Sequence, residues 1–97
     1  MVSGMKIREL LSGPEKWTQK ALARGASGEL EDLYSQSAVQ WCLMGAMARC
    51  YPGSADEIRK KVRVRLFGRQ YGLISRWNDA PGRTFEEVRA LVAELDV

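Results

Sequence analysis

Ninety-seven residues suffice for one domain with a single core, and are few enough for that core to be marginally stable alone. With 45% hydrophobic and 28% charged residues the chain is not of disordered composition, and no apolar run approaches the ~20 residues of a membrane span. A net charge of +3 permits a nucleic-acid or acidic-protein partner without requiring either.

In chain order, residues 4–11 place Met5, Ile7, Leu10 and Leu11 at helical spacing, ending at Ser12-Gly13. Ser12 and Glu15 make a capping box with Pro14 in the first turn, which predicts a second short helix through Trp17 to about Leu22. Residues 24–29 hold two glycines and no periodicity, so they read as a loop, with a two-stranded hairpin across Gly25–Gly28 the one β element allowed. Glu29, Glu31 and Asp32 form an acidic edge, among which Leu30, Leu33 and Tyr34 are placed to pack back on the core.

Residues 38–51 are the stretch that organises the rest. Between Ala38 and Cys50 only Gln40 and Arg49 are strongly polar, so nearly every face needs cover. Ser37 and Gln40 fit a capping box and Pro52-Gly53 a stop, which predicts a central helix over 38–51. Ser54 and Glu57 then open a helix with Ile58, Val62 and Leu66 at four-residue spacing, Phe67 beside them, and Gly68 and Gly72 about its end. Residues 71–82 read as a connector carrying Leu73-Ile74 and Trp77-Asn78-Asp79. Thr84 and Glu87 open a last helix with Val88, Leu91, Val92 and Leu95 on one face. The expected fold is all-α, or α-rich with at most a small hairpin near 21–30. It is a compact single domain, 1–97, of four to five short helices around the central one.

Cys42 and Cys50 lie eight residues apart, ~12 Å along one helix, beyond the ~7 Å Cα limit of a disulfide. Two reduced, buried thiols, and an N-terminus without the charged and apolar regions of a secretory signal, give cytoplasmic residence as the expectation. The chain has no histidine, which removes the commonest general base and transition-metal ligand, so neither a metal nor another cofactor is expected.

The strongest charge feature is the basic helix 59–69, which also carries Lys61, with Arg59, Lys60, Arg63, Arg65 and Arg69 as the candidate contacts. They would neutralise phosphates, dock an acidic protein surface, or pair with the chain's own acids at 29–32 and 86–96. Cys42, with Asn78 or Asp79 as helper, invites a nucleophilic reading, against which stand the missing histidine and its position past the first turn of an apolar helix. Trp77, Asn78 and Asp79 form a candidate functional loop; structurally, Trp77 would anchor it while Asn78 and Asp79 bond backbone amides or pair with Arg76 or Arg83. Met44 and Met47 would line an adaptable groove or fill the core.

Trp17 before a glycine-containing loop, W-C-L-M-G-A at Trp41–Ala46, W-N-D at Trp77–Asp79 and R-T-x-x-E-V at Arg83–Val88 together resemble an uncharacterised family of small bacterial and phage proteins, a domain of unknown function. The resemblance spans about residues 7 to 95 and implies a compact, soluble, intracellular, α-rich domain, with no activity, cofactor or substrate attached. In that family's pattern a histidine often stands where this chain has Phe85, so histidine-assisted chemistry could not operate here.

The first functional reading is a non-enzymatic protein-interaction module, encoded by a phage or another mobile element and acting by binding or inhibiting a host complex. The second is a nucleic-acid-binding accessory using helix 59–69, and the third a Cys42-dependent enzyme. A homodimer is a further expectation, with Gly45, Ala46 and Ala48 as small residues at its interface.

Overall fold

The computed structural model describes residues 5–97, so the readings made on Met1–Gly4, including the absence of a secretory signal, lie outside the described residues. The central helix is shorter than its apolar stretch. It is α2, Leu43–Cys50, and the residues before it are strand rather than helix. Gln40–Trp41 (β2) pairs antiparallel with Ala23–Arg24 (β1), Trp41 opposite Ala23 and Gln40 opposite Arg24. Val39 and Trp41 are residue types that suit an extended, half-buried ribbon, and the partner strand satisfies backbone groups that helix 38–51 would have satisfied internally.

The ribbon therefore joins segments distant in sequence and is not a hairpin confined to 21–30. Around it, Arg24 bridges to Leu30 on one side, and Trp17 runs parallel to Trp41 on the other, with Thr18 N–H donating to the Trp41 carbonyl at 3.1 Å. That parallel track is why the helix expected through Leu22 stops after a single 3-10 turn at Pro14–Lys16.

Among the described residues the helices are α1 (Ile7–Leu10), α2, α3 (Ala55–Phe67), α4 (Ile74–Asp79) and α5 (Phe85–Leu95). α2 packs against α1, α3 and α4, and α1 also against α5. Ile7, Leu43, Met47, Val62, Ile74, Val88 and Val92 form the most enclosed part of the core. The fold is mostly helical with a small antiparallel ribbon, so it is α-rich rather than strictly all-α. None of its helices among the described residues is long and apolar enough to cross a membrane.

Of the four capping boxes expected, one closes as read. Thr84 Oγ1 accepts from Glu87 N–H at 3.2 Å while the Glu87 carboxylate accepts from Thr84 N–H at 2.9 Å. Ser54 caps α3 without a side-chain bond, Ser12 precedes the actual cap Gly13, and Ser37 precedes a strand. α3 ends where expected, with Gly68 in the left-handed conformation at φ 70°. The W-N-D motif is not in a loop: Trp77, Asn78 and Asp79 are the last turn of α4.

Candidate functional site: a groove between α3 and α5

The motif residues converge on a buried polar knot. Asn78 is fully buried, and its amide uses all its capacity. Its Oδ1 accepts from Trp17 Nε1–H at 2.8 Å and from Leu43 N–H at 3.1 Å; its Nδ2 donates to the Thr18 carbonyl at 3.2 Å and to Asp79 Oδ1 at 2.9 Å. Leu43 is the first residue of α2, so Asn78 serves one of the helix's four orphan amides from another element. Cys42 serves a second: it is the N-cap, and its Sγ accepts from Gly45 N–H at 3.3 Å. Asp79 accepts from Lys20 N–H at 2.8 Å, which holds Lys20 in a left-handed conformation at φ 64°. Gln19 Nε2 donates to the carbonyls of Asn78 and Ala80 at the end of α4. No buried side-chain polar atom among the described residues lacks a partner. The knot ties the 17–20 segment, the start of α2 and the end of α4 into one unit, and its groups are consumed in doing so.

Cys42 differs from its sequence reading in position, standing at the helix start rather than past the first turn. A helix N-terminus favours a thiolate, but here burial raises the thiol pKa, outweighing the Gly45 and Met44 amides that lower it, and Asp79 adds to the rise. Burial also pushes the Cys50 thiol up, to about 11. Both cysteines are buried, and neither is in a disulfide among the described residues. At neutral pH Cys42 is an enclosed, protonated thiol engaged as a cap.

Gly45 explains the close approach of α2 to the ribbon. A Cβ at this position would run into the carbonyl oxygen of Leu22, which itself accepts from Cys42 N–H at 3.3 Å. Of the three small residues named for a dimer interface, Gly45 and Ala46 are buried inside the monomer and Ala48 is half-buried. Met47 is likewise core.

The five candidate cations do not share one face, and Arg69 lies outside α3, which ends at Phe67 rather than continuing to 69. Arg59 pairs with Asp56 and lines a shallow depression at the start of α3. Arg63 Nε donates to the Gly72 carbonyl at 3.1 Å, and Arg69 stacks on Tyr71 beyond the helix end, 5.1 Å from the ring centre. Lys60 and Arg65 do come together, in an open groove of about 600 Å³ between α3 and α5 whose walls are completed by Lys61, Val64, Glu94 and Leu95. Lys61, Val64, Glu94 and Leu95 are the site residues that sequence reasoning did not select. The available signal was Val64, an apolar residue one helical turn from Lys60 and Lys61 in an otherwise charged stretch.

Val64 is 48% exposed, a large apolar side chain on the groove floor. Arg65 grips Glu94 with two guanidinium nitrogens, Nη2 to Oε1 at 3.0 Å and Nε to Oε2. Beyond that pair the surface continues into a second hollow of about 420 Å³ with Trp77, Arg83 and Glu87 on its walls. There the Arg83 guanidinium lies 4.0 Å from the Trp77 ring centre and pairs with Glu87 at 3.0 Å. Lys60 and Lys61 are exposed and form no ion pair among the described residues.

The Arg65 hydrogen bond, with its charge, holds the Glu94 carboxyl below the ordinary glutamate value. A depressed folded pKa means that the pair's contribution is present above the unfolded carboxyl pKa and lost as pH falls through the folded one. A ¹³C NMR titration should therefore find Glu94 titrating below the usual glutamate range, and returning towards it in Arg65→Gln; an unmoved Glu94 curve would mean that the pair does not persist in solution.

No curated protein and no solved structure matches this chain. A family model described as a family of unknown function, DUF6197, matches residues 5–95, the span that contains both the knot and the groove. The chain belongs to this family of unknown function.

Proposed function

We propose that this protein is a non-enzymatic protein-interaction module whose α3–α5 groove docks an acidic segment with apolar anchors on a partner protein. The observation that carries the reading is the meeting, at one place, of the exposed Val64 and the half-buried Leu95 with Lys60 and Lys61, which form no ion pair among the described residues. Apolar side chains of a partner would seat on the floor, while its carboxylates meet the lysines and fix its register. The chemistry-bearing groups elsewhere support a role without catalysis. Asn78 and Asp79 are bonded into the knot, and Cys42 is enclosed with its thiol protonated. The likeness of its tryptophan motifs to small bacterial and phage proteins supports a partner in a bacterial host complex, which docking here would block.

A nucleic-acid role draws on the same lysines but has less behind it. Arg59 and Arg65 are already paired with Asp56 and Glu94, and the Glu94 carboxylate lines the groove that a phosphate would enter.

Calorimetric titration separates the two, using a synthetic helical peptide with leucine at every third or fourth position and glutamate between, and a DNA oligonucleotide as the rival ligand. The peptide is expected to bind the wild type, and Lys60→Glu/Lys61→Glu to weaken it about tenfold or more. Both side chains are exposed, so the variant should keep its fold. Oligonucleotide binding with log affinity falling linearly in log salt, and no peptide binding, would replace this reading with the phosphate one. Binding of neither would remove both.

A further inference from the structure

The groove has a chemical counterpart on the same chain. Residues 29–34, Glu29-Leu30-Glu31-Asp32-Leu33-Tyr34, are an acidic stretch with apolar side chains interleaved. Leu33 packs on the core as expected, but Leu30 is 73% exposed and Tyr34 56% exposed, with only its hydroxyl reaching back, to the Ala48 carbonyl at 3.3 Å. Glu29, Glu31 and Asp32 form no ion pair among the described residues.

The segment is held firmly in its exposed position. Gly25 N–H donates to the Glu29 carbonyl at 2.8 Å and Glu31 N–H to the Ala23 carbonyl at 3.1 Å, so it forms the outer edge of the ribbon. The Leu33 carbonyl accepts from Trp41 Nε1–H at 3.0 Å and Arg49 Nη1 at 2.9 Å. The Asp32 carboxylate fixes the following turn through Tyr34 N–H at 2.8 Å. A preformed knob loses little conformational entropy on docking.

Resting on the reading of the α3–α5 groove as a docking surface, we infer that its occupant includes residues 29–34 of a second copy of this chain, so that the protein associates head to tail. Leu30 seats against Val64 and Leu95, and Glu31 with Asp32 faces Lys60 and Lys61. Within one molecule no hydrogen bond or ion pair joins the two sets among the described residues. Knob and groove lie on different elements, so the contact is heterologous: each copy offers one of each, and open chains grow unless a ring closes. The contact is small and charge-assisted, so it strengthens with concentration and weakens with salt.

Two variants test this with the full chain: Lys60→Glu/Lys61→Glu blocks the groove, and Leu30→Ser/Glu31→Lys blocks the knob; Lys60, Lys61 and Leu30 are exposed and Glu31 is half-buried. By sedimentation velocity at up to about 1 mM protein, where weak contacts register, the wild type should exceed its 10.9 kDa monomer mass, less so in high salt. Each variant alone should stay monomeric, and their equimolar mixture should form one-to-one dimers, because each retains the face that the other lacks. A monomeric wild type across the range, variants that associate like wild type, or a mixture that stays monomeric would each overturn the inference. If the synthetic acidic peptide binds the groove while the wild type stays monomeric, the docking surface stands and self-association falls; if the peptide also fails, both fall.

Discussion

Replacing Asn78 by alanine is expected to lower stability by about 3 kcal/mol, the largest effect of any single polar substitution in this chain. The change leaves Trp17 Nε1–H and Leu43 N–H without their acceptor in a site closed to water, at about 1–3 kcal/mol for each buried orphan. For a domain of this size the midpoint of thermal unfolding should fall by roughly 15 °C. Asn78→Asp gives a finer test. It keeps the acceptor for both donors but puts a second oxygen where Nδ2 now faces the Thr18 carbonyl and the Asp79 carboxylate. Burial and the neighbouring carboxylate raise the new acid's folded pKa above its unfolded value of about 3.9. The penalty is thus fully present at neutral pH and shrinks as pH falls through that raised pKa, so the variant should close on wild type in acid. Denaturant unfolding at pH 7 and pH 4 checks both; a loss under 1 kcal/mol for Asn78→Ala would mean that the knot is not what joins these elements.

Gly45→Ala is the second large effect, and its sign runs against helix propensity. Alanine inside an exposed helix gains up to about 1 kcal/mol over glycine. At Gly45 the added methyl meets the Leu22 carbonyl oxygen, a backbone atom that also accepts from Cys42 N–H, so either α2 or the ribbon must shift. Overpacking of this kind costs about 1–3 kcal/mol, and a net loss of about 2 kcal/mol is expected. Thermal unfolding followed by far-UV circular dichroism measures it. A stabilised Gly45→Ala would show that the two elements are further apart than the fold requires.

These two residues also mark what could be read from the sequence. α5 was legible because its signals are local: Thr84 and Glu87 close a box three residues apart, and Val88, Leu91 and Val92 repeat at helical spacing. The body and end of α3 were legible for the same reason. The start of α2 was not, because Gln40 and Trp41 take their conformation from their partners Arg24 and Ala23, 16 and 18 residues earlier in the chain. A capping box and an apolar run describe 38–51 as helix until that partner strand is known. Asn78 was harder still, since its partners Leu43, Thr18 and Trp17 are 35, 60 and 61 residues away. Sequence reasoning had Asn78 and Asp79 bond backbone amides, and Leu43 N–H and Lys20 N–H are such amides, but neither these nor the Trp17 indole could be named from the sequence.

The groove was half legible. Counting cations along 59–69 finds the charge but not its division among faces, because helix phase alone does not say which arginines meet acids on other elements. Glu94 takes Arg65 out of the free set, and the Gly72 carbonyl takes Arg63. Lys60 and Lys61 are left beside Val64, and that residue supplies the apolar floor.

The docking claim is met most directly by ¹H–¹⁵N chemical-shift mapping of the labelled protein as the synthetic acidic peptide is added. The account predicts shifts concentrated at Lys60, Lys61, Val64, Arg65, Glu94 and Leu95, with the amides of Leu43 and Asn78 unmoved. Shifts confined to Arg59, Arg69 or the W-N-D turn, or none at saturating peptide, would contradict it.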